Sequence, residues 1–263
     1  MSAWHRMALP VVSLAALLGA WEALFRGSGF NPELFPPPSA IVLTLIKLLT
    51  PTDARPVPPL LIHIGVSVAR LGVSMAIALI AGIGIGLLMG MNRYAYRAFY
   101  PLVNALLPIP AYAYIPILLL WAGRGNVSIV IVTAFSASLP LIYNTMAGVR
   151  GVHHSQVRAL QTLGANNVDV MRLVLLPAAF AAIVAGLRVS FGQAWRTLVG
   201  AEFIAAPTAG LGYMIFNARN LLQVDVMFTG LFTLGVFGFL FIYVFVGWIE
   251  QRTLVRWGVL SKR

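Results

Sequence analysis

Residues 64–91 have the sequence IGVSVARLGVSMAIALIAGIGIGLLMGM. Arg70 is the only charged residue in this stretch, and the other side chains are apolar or small. A bilayer core about 30 Å thick is crossed by roughly 20 helical residues that rise about 1.5 Å each. The stretch therefore predicts a helix long enough to cross a membrane.

The same apolar character extends over the whole chain of 263 residues, of which 60% are hydrophobic and 10% charged. Long apolar runs without two-residue alternation favour helices over a β-barrel, because lipid-exposed backbone must satisfy its own hydrogen bonds. The predicted class is all-α, a polytopic membrane protein with one domain over residues 1–263 and a core of about 60–250. About six transmembrane helices are predicted, near residues 7–25, 64–91, 99–121, 126–148, 178–203 and 226–248.

The first apolar run has an alternative interpretation as a cleaved signal peptide, because Trp4-His5-Arg6 precedes it. The run continues to Phe25 without a small-x-small cleavage site, and further spans follow. We therefore expect a retained first helix. The chain contains no cysteine, so disulfides and thiolate-bound metals do not contribute.

The net charge of +11 is explained by membrane topology rather than by nucleic-acid binding. With the N-terminus in the cytoplasm, the cytoplasmic side receives Arg6, Arg93, Arg97, Arg150, Arg158, Arg172, Arg252, Arg256, Lys262 and Arg263. The outer side receives Arg26, Lys47, Arg55, Arg124 and Arg219. This asymmetry follows the positive-inside rule and predicts that both termini are cytoplasmic.

Small and polar residues in the second span predict helix packing. Gly82, Gly86 and Gly90 recur every fourth residue and leave one smooth face for another helix. A phosphate-binding loop is rejected for this glycine run, because it lies inside an apolar helix and not after a strand. Upstream, a shared helical face carries His63, Ser67 and Arg70, for which we predict a structural polar cluster at the outer interface.

Prolines mark two irregular regions. Phe35-Pro36-Pro37-Pro38-Ser39 and the stretch 51–59 are predicted connectors, with a short interfacial helix between them over about 40–49. The third span contains Pro101, Pro108, Pro110 and Pro116. Helix breakers inside a membrane need neighbouring protein or a water-lined cavity. We therefore expect this span to be kinked and to border a translocation pathway, the alternative being a kink that only shapes packing.

Between the fourth and fifth spans lies a polar segment with helical periodicity. His153 to Leu163 is amphipathic, and its apolar side carries Val157, Leu160 and Leu163. Gly164 is suited to end this helix, while Asn166 or Asn167 can cap the next one near Asp169. Pro177 is expected to bend the entry into the fifth span. The pattern predicts a short cytoplasmic helix joined stiffly to a membrane helix.

This segment resembles the cytoplasmic loop of the permease subunits of bacterial ABC importers, which carries Glu-Ala-Ala, three residues, Gly, nine residues, then Ile-x-Leu-Pro. The matching residues are Arg158, Ala159, Leu160, Gly164, Ala165, Val174, Leu176 and Pro177. The spacing from Gly164 to Pro177 is the family's. Arg158 departs from the family's pattern, since an acidic residue is usual at that position.

The resemblance covers most of the chain and narrows to the nitrate, sulfonate and taurine importers. It is carried by segments in the family's order: Phe35 to Ser39, Ser67-x-x-Arg70, Pro108-Ile109-Pro110, Pro116 to Trp121, Gly186-Leu187-Arg188, Ala194-Trp195, Ala201-Glu202, Gly210 to Tyr213, Asn217-Ala218-Arg219 and Gln223 to Val226. The resemblance implies a type I ABC importer permease fold in the bacterial inner membrane, with a coupling helix between spans four and five.

The resemblance also implies partners. Two ATPase subunits would dock at residues 152–169 of a coupling segment over 152–177, and they would bind ATP and Mg²⁺. The chain has no Gly-x-x-x-x-Gly-Lys-Ser/Thr motif of its own, so we expect neither ATPase activity nor a cofactor in it. A second copy of the chain would complete a homodimeric permease, and a separate solute-binding protein would deliver sulfonate, taurine, nitrate, bicarbonate or a heterocyclic precursor.

Polar and aromatic residues inside the spans are candidates for the pathway: Tyr112, Tyr114, Gln193, Trp195, Arg196 and Glu202. A charge at mid-bilayer costs about 2.5–3.5 kcal/mol on insertion scales, so each one needs a reason. Arg196 could lower the barrier for an anion in transit, or it could pair with a carboxylate or carbonyl of a neighbouring helix. Trp195 and Tyr112 have packing as their alternative role.

Two other classes of protein stay open from the residues alone. An ion-coupled secondary transporter would need ionisable groups along its path and usually an internal repeat, but the chain has 7 acidic residues and shows no repeat. An intramembrane enzyme would need a nucleophile with a base or a metal cluster, and no His-Glu-x-x-His motif occurs. The adjacent His153 and His154 point about 100° apart on a helix and make a poor chelate.

Overall fold

The computed structural model describes residues 3–27, 34–51 and 56–248, and every regular element in these ranges is helical, as predicted. The α-helices are α1 (Ala3–Gly27), α2 (Pro38–Leu49), α3 (Pro59–Met91), α4 (Arg93–Leu106), α5 (Ile115–Ala122), α6 (Asn126–Arg150), α7 (His154–Thr162), α8 (Asn167–Val170), α9 (Leu176–Ala205), α10 (Leu211–Asn220) and α11 (Val224–Phe239). A 3-10 turn (Ala111–Tyr114) precedes α5, and π turns follow α8 (Met171–Leu175) and α11 (Leu240–Val246).

Four helices among the described residues are long and apolar enough to cross a membrane: Pro59–Met91, Asn126–Arg150, Asn167–Ala205 and Val224–Val244. Arg93–Leu106 and Ala111–Ala122 make a fifth if the bent pair counts as one span. The first predicted span coincides with α1, which is not among these candidates. The predicted count of six therefore stays a prediction, while the multi-pass class is confirmed.

The third predicted span is broken rather than gently kinked. Its two halves meet at 94°. Residues 107–110 lie between them, where Pro108 and Pro110 cannot donate backbone hydrogen bonds and disfavour helix in the residues before them. The expected kink is confirmed, and the continuous helix over 99–121 is replaced by α4, the 3-10 turn and α5.

The centre of the fold is α6, which packs against α3 on one side and α9 on the other. The glycine face of α3 makes the first contact: a Cβ built on Gly86 would lie 2.6 Å from Cβ of Thr145, and one built on Gly90 would lie 2.6 Å from Cβ of Val149. On the other side, a Cβ on Gly186 of α9 would lie 2.7 Å from Cβ of Asn144. The predicted helix-packing role of the α3 glycines is confirmed.

The predicted helix over 40–49 is α2, which is apolar and too short to span a bilayer. Thr44 Oγ1 donates a hydrogen bond of 2.7 Å to Oδ2 of Asp225 at the start of α11. Ser39 bonds to Glu22 of α1 through its N–H at 3.1 Å and its hydroxyl at 2.8 Å. These polar contacts hold α2 between α1 and α11.

The α3 glycines offer a matched test of the packing. Gly86→Ala places a methyl group into Thr145 and is expected to destabilise the protein by about 1–3 kcal/mol. Gly84→Ala, on the same helix, meets nothing within 4 Å and should be neutral or stabilising by up to about 1 kcal/mol. The midpoint of thermal unfolding in detergent micelles measures both. Equal midpoints for the two variants would contradict close packing at Gly86.

Candidate functional site

The coupling segment begins with α7 and turns at Gly164. The N–H of Gly164 bonds to the carbonyl of Gln161 at 3.0 Å, and the N–H of Ala165 to that of Leu160 at 3.3 Å. Gly164 has a φ of +86°, in the left-handed region where a side chain is strained, and no atom lies within 4 Å of a Cβ built there. Gly164 therefore ends the helix as predicted, for a reason of backbone conformation and not of space.

A capping box starts the next helix. Asn166 Oδ1 accepts hydrogen bonds from the N–H groups of Val168 at 2.8 Å and Asp169 at 3.0 Å. Asp169 Oδ2 accepts one in return from the N–H of Asn166 at 3.0 Å. Of the two asparagines predicted as caps, Asn166 is the cap.

The helix that starts at Asn167 continues through a π turn into α9, as one helical run of 39 residues to Ala205. The π turn ends where α9 begins, at Leu176 and Pro177. A widened turn accommodates a proline, which cannot donate to the preceding turn. Val174, Leu176 and Pro177 are half-buried. The part of the predicted coupling segment that follows Asn166 is therefore continuous with the long membrane helix, whereas α7 is joined to it by the turn at Gly164.

The two sides of α7 differ in exposure. Val157 and Leu160 pack on the cluster that contains Val149, Val170 and Leu175. Leu163 is 82% exposed. The predicted apolar side is therefore correct for the first two residues and wrong for Leu163, which follows the last helical residue and turns away from the bundle.

The face of α7 that points away from the helix bundle is exposed. Arg158 and Ala159 are exposed, as are His153 and His154. Within residues 3–27, 34–51 and 56–248, no group of three or more His, Asp or Glu side chains could hold a metal ion. This surface therefore carries one cation, Arg158, among uncharged polar side chains such as Gln156 and Gln161.

Two adjoining cavities lie beside the broken helix. The first has a volume of about 290 Å³ and is lined by residues 107–112 with Gln193, Arg196 and Thr197 of α9. The second has a volume of about 290 Å³ and reaches Ser136, Pro140, Tyr143 and Asn144 of α6. Leu107, Ile109, Ala111 and Gln193 line both. The 94° bend thus opens a space between α4–α5, α6 and α9.

Three of the predicted pathway residues meet in the first cavity: Tyr112, Gln193 and Arg196. Arg196 is exposed and its Nη2 donates to Oε1 of Gln193 at 3.1 Å. In the described part of the chain, no carboxylate lies within ion-pair distance of Arg196. Of the two roles weighed for Arg196, pairing with a carboxylate of this chain does not occur there.

The other three predicted pathway residues lie in packed regions. Tyr114 meets Phe135 edge to face at 5.4 Å, and its hydroxyl is buried. Trp195 is 7% exposed and its Nε1 donates to the carbonyl of Leu234 at 3.2 Å. Glu202 is 0% exposed. None of the three lines either cavity.

Glu202 instead joins the polar residues predicted at the start of α3, in what we call the Glu202 cluster: His63, Ser67, Arg70, Asn126 and Glu202. Arg70 Nη1 donates to Oε1 of Glu202 at 2.8 Å, and the hydroxyl of Ser67 lies 2.8 and 2.9 Å from its two oxygens. His63 Nδ1 accepts from the N–H of Gly210 at 3.2 Å. The predicted structural cluster on α3 is confirmed and is larger than expected.

Some residues at the cavities were not anticipated from the sequence. Ser136 of α6 and Thr197 of α9 are joined by a hydroxyl–hydroxyl bond of 2.8 Å at the cavity wall. Tyr143 and Asn144 line the second cavity. Their polarity inside an apolar run was the available signal, but nothing in the sequence showed which face they occupy.

The family described as binding-protein-dependent transport system inner membrane component matches residues 78–255. The chain belongs to this family. It is the permease subunit of an ABC importer and a multi-pass membrane protein, as the resemblance implied. The ion-coupled transporter and the intramembrane enzyme are set aside by this membership.

Named relatives cover nearly the whole permease. The taurine transport system permease protein of Escherichia coli is 32% identical over 239 residues, which are 90% of this chain and 85% of the relative. The nitrate import permease protein of a Synechocystis species is 30% identical over 237 residues, 88% of this chain and 84% of the relative.

The permease fold is shared with a solved structure of the MetNI methionine ABC transporter in an inward-facing conformation. The TM-score is 0.64 at 19% identity, over 77% of this chain and 97% of the other. This likeness confirms the type I permease fold.

Cysteine labelling can test whether the first cavity is open to water. The chain contains no cysteine, so single substitutions give an unambiguous signal. Gln193→Cys should react with a small charged thiol reagent in the folded protein, because Gln193 lines both cavities. Ala194→Cys, one position along and 0% exposed, should react only after denaturation. Protection of both cysteines would show that the cavities are closed to water.

Proposed function

We propose that the permease forms, with a second copy of itself, the pathway of an ATP-driven importer for small solutes that bear an oxyanion group, of the sulfonate and taurine, nitrate or bicarbonate class. The observation that carries the substrate class is Arg196. Its guanidinium lies at the wall of a cavity, and no carboxylate of the described residues neutralises it. Relatives named for taurine, which carries a sulfonate group, and for nitrate support the same chemistry.

The solute path follows the two cavities along α9 and α6. Arg196 and Gln193 offer N–H groups in the first cavity, and Asn144 and Tyr143 offer polar groups in the second. A guanidinium without a carboxylate partner attracts an anion that enters the cavity, through its charge and through charge-assisted hydrogen bonds. Side-chain donors spaced along the wall let the solute exchange partners instead of being held at one place.

A second copy is proposed because the path is open on one side in the single chain. Tyr112 is 55% exposed and Arg196 is exposed as well. An arginine that faces lipid inside a membrane span would be energetically costly. A two-fold axis through the cavities would cover both residues with the same surface of the partner, as in an isologous interface.

The exposed surface of α7 is the proposed contact with the ATPase subunit, which binds ATP and Mg²⁺. Arg158, Ala159 and Leu163 project from it, while Val157 and Leu160 anchor the helix to the bundle. With this contact we propose that residues 152–169 and both termini are cytoplasmic, and that the Glu202 cluster is on the outer side, where the solute-binding protein would dock. Several of the C-terminal basic residues behind this orientation lie outside the described residues.

The substrate class is tested at Arg196 in liposomes that contain the permease, its ATPase and a binding protein loaded with a labelled sulfonate or nitrate. Arg196→Gln should lower the import rate about tenfold, the equivalent of one charged hydrogen bond of about 1.5 kcal/mol. Arg196→Lys keeps the charge and should retain most of the rate. Arg124→Gln, an exposed arginine away from the cavities, is the control.

Two results would contradict the anion role. Arg196→Gln and Arg196→Lys could lose the same fraction of import, so that charge does not matter. Alternatively, import of an anionic and a neutral solute could fall equally in Arg196→Gln. Import by the unaltered permease without any ATPase subunit would refute the importer itself.

The coupling segment generates a separate prediction. Gly164→Val introduces a β-branched residue at a φ of +86° and should displace the end of α7, so that ATP hydrolysis continues while import falls. Thr162→Val, at a helical position two residues earlier, is the matched control. Arg158→Glu should leave assembly with the ATPase largely intact, because Val157 and Leu160 still hold α7 on the bundle and Gly164 still fixes where the helix ends.

Co-purification of the ATPase with each variant measures assembly, and import per ATP hydrolysed measures coupling. If Arg158→Glu loses the ATPase, the charge is a docking contact particular to this permease. If Gly164→Val imports as efficiently as Thr162→Val, the left-handed turn is not required for coupling.

A further inference from the structure

The helical run Asn167–Ala205 connects two distant regions of the permease. Its first turns, with Val170 and Leu175, pack against Val157 and Leu160 of the coupling helix. Its last turns carry Glu202 into the Glu202 cluster. At about 1.5 Å per residue, 39 residues span close to 60 Å. The same helical run therefore reaches from the coupling segment to Glu202.

At Glu202 this run is bound to two other elements through one carboxylate. Oε1 accepts from Arg70 Nη1 of α3 at 2.8 Å. Oε2 accepts from the N–H of Gly212, in the first turn of α10, at 3.0 Å. Ser67 of α3 bridges the same elements, because its hydroxyl donates to Glu202 and accepts from the N–H of Leu211 at 2.8 Å.

Arg70 extends the connection to the loop that precedes α10 and to α6. Its Nη1 also donates to the carbonyl of Ala209 at 2.7 Å, and its Nε donates to Oδ1 of Asn126 at 2.9 Å. Arg70 is 6% exposed and Glu202 is 0% exposed. Removing either charge would leave the other buried without its counterion.

The loop Ala206–Gly210 joins α9 to α10 and is held at Ala209 by Arg70 and at Gly210 by His63. Gly210 has a φ of +136°, and a Cβ built on it would lie 2.5 Å from Cδ of Glu202. A Cβ on Gly212 would lie 2.5 Å from the carbonyl oxygen of Val199 in α9. The two glycines let α10 approach the carboxylate so closely that the backbone N–H of Gly212 donates a hydrogen bond to it.

We propose that Glu202, held by Arg70, is a positioning residue that ties α10 rigidly to α9, so that movement at the coupling segment displaces α10 at the outer mouth of the pathway. This inference rests on the proposed function. Stability alone does not require such a pair, since buried ion pairs are often replaced by apolar residues without loss. A buried polar contact that joins the short helix α10 to the end of the long helix α9 defines the position of α10 relative to α9.

The experiment uses the complete importer in liposomes and compares Glu202→Gln with Thr44→Val. Both changes are nearly isosteric, and the second removes a hydrogen bond between helices outside the cluster, from Thr44 to Asp225. Glu202→Gln should keep ATP hydrolysis within about twofold, while import per ATP hydrolysed falls about tenfold, within the usual range of coupling between sites. Thr44→Val should leave that ratio unchanged.

A second readout follows α10 itself. Asn217 is exposed on α10, and in this cysteine-free chain Asn217→Cys carries a single spin label per copy. The distance between the two labels should change on nucleotide binding in the unaltered permease, and the change should shrink by roughly half or more in Glu202→Gln. A residue that only stabilises the fold would lower import and hydrolysis together and leave the distance change intact.

The outcomes separate the two proposals. An unaltered permease without ATP-dependent import refutes the proposed function. The positioning role alone is refuted if the unaltered permease imports normally and Glu202→Gln keeps both the same import per ATP hydrolysed and the same change in label distance. If Glu202→Gln does not assemble, Glu202→Asp decides, because it keeps the negative charge but draws the carboxylate back from the N–H of Gly212; an unchanged ratio there also overturns the inference.

Discussion

The close approach of α6 to α3 and to α9 is the interaction on which the rest of the permease depends. Lipid tails are as apolar as leucine, so helices in a bilayer gain little from burying apolar surface against each other and associate through close packing instead. Here glycines on both neighbours face α6, where a Cβ on Gly86 or Gly186 would overlap a side chain. The contact fixes α9 against the centre of the fold, and α9 carries the features that we propose to act in transport.

Placing these features on one helix has a mechanical consequence. The run Asn167–Ala205 begins in the predicted coupling segment, passes the cavity at Gln193 and Arg196, and carries Glu202 in its last turn. Because a continuous helix resists bending, we expect a displacement at one end to move the cavity wall and the other end together. The π turn before Pro177 is the one widened turn in this run, and it lies between the coupling helix and the bundle.

The sequence was sufficient wherever function depends on local pattern. The turn at Gly164 follows from the backbone conformation that such a position requires, and the α3 glycines follow from a four-residue repeat. The sequence predicted a cap at Asn166 or Asn167, and the structure shows that it is Asn166. The 94° break was underestimated, because prolines show that a helix is interrupted but not how its halves are oriented. Arg70 and Glu202 are 132 residues apart. Hydropathy shows that each needs a partner, but it does not show that they meet.

Two charged residues on α9 show why some of the predicted pathway residues line a cavity and others are packed inside the fold. Glu202 and Arg196 lie six positions apart and carry the same sequence signal, a charge inside an apolar run. Glu202 has donors from α3 and α10 and no exposure, so its charge is used within the fold. Arg196 has an amide neighbour and an open cavity, so part of its hydrogen-bonding capacity is unused by the described residues. An intramembrane charge that the fold has neutralised stabilises a particular arrangement of helices, whereas one that the fold leaves open is available to a solute.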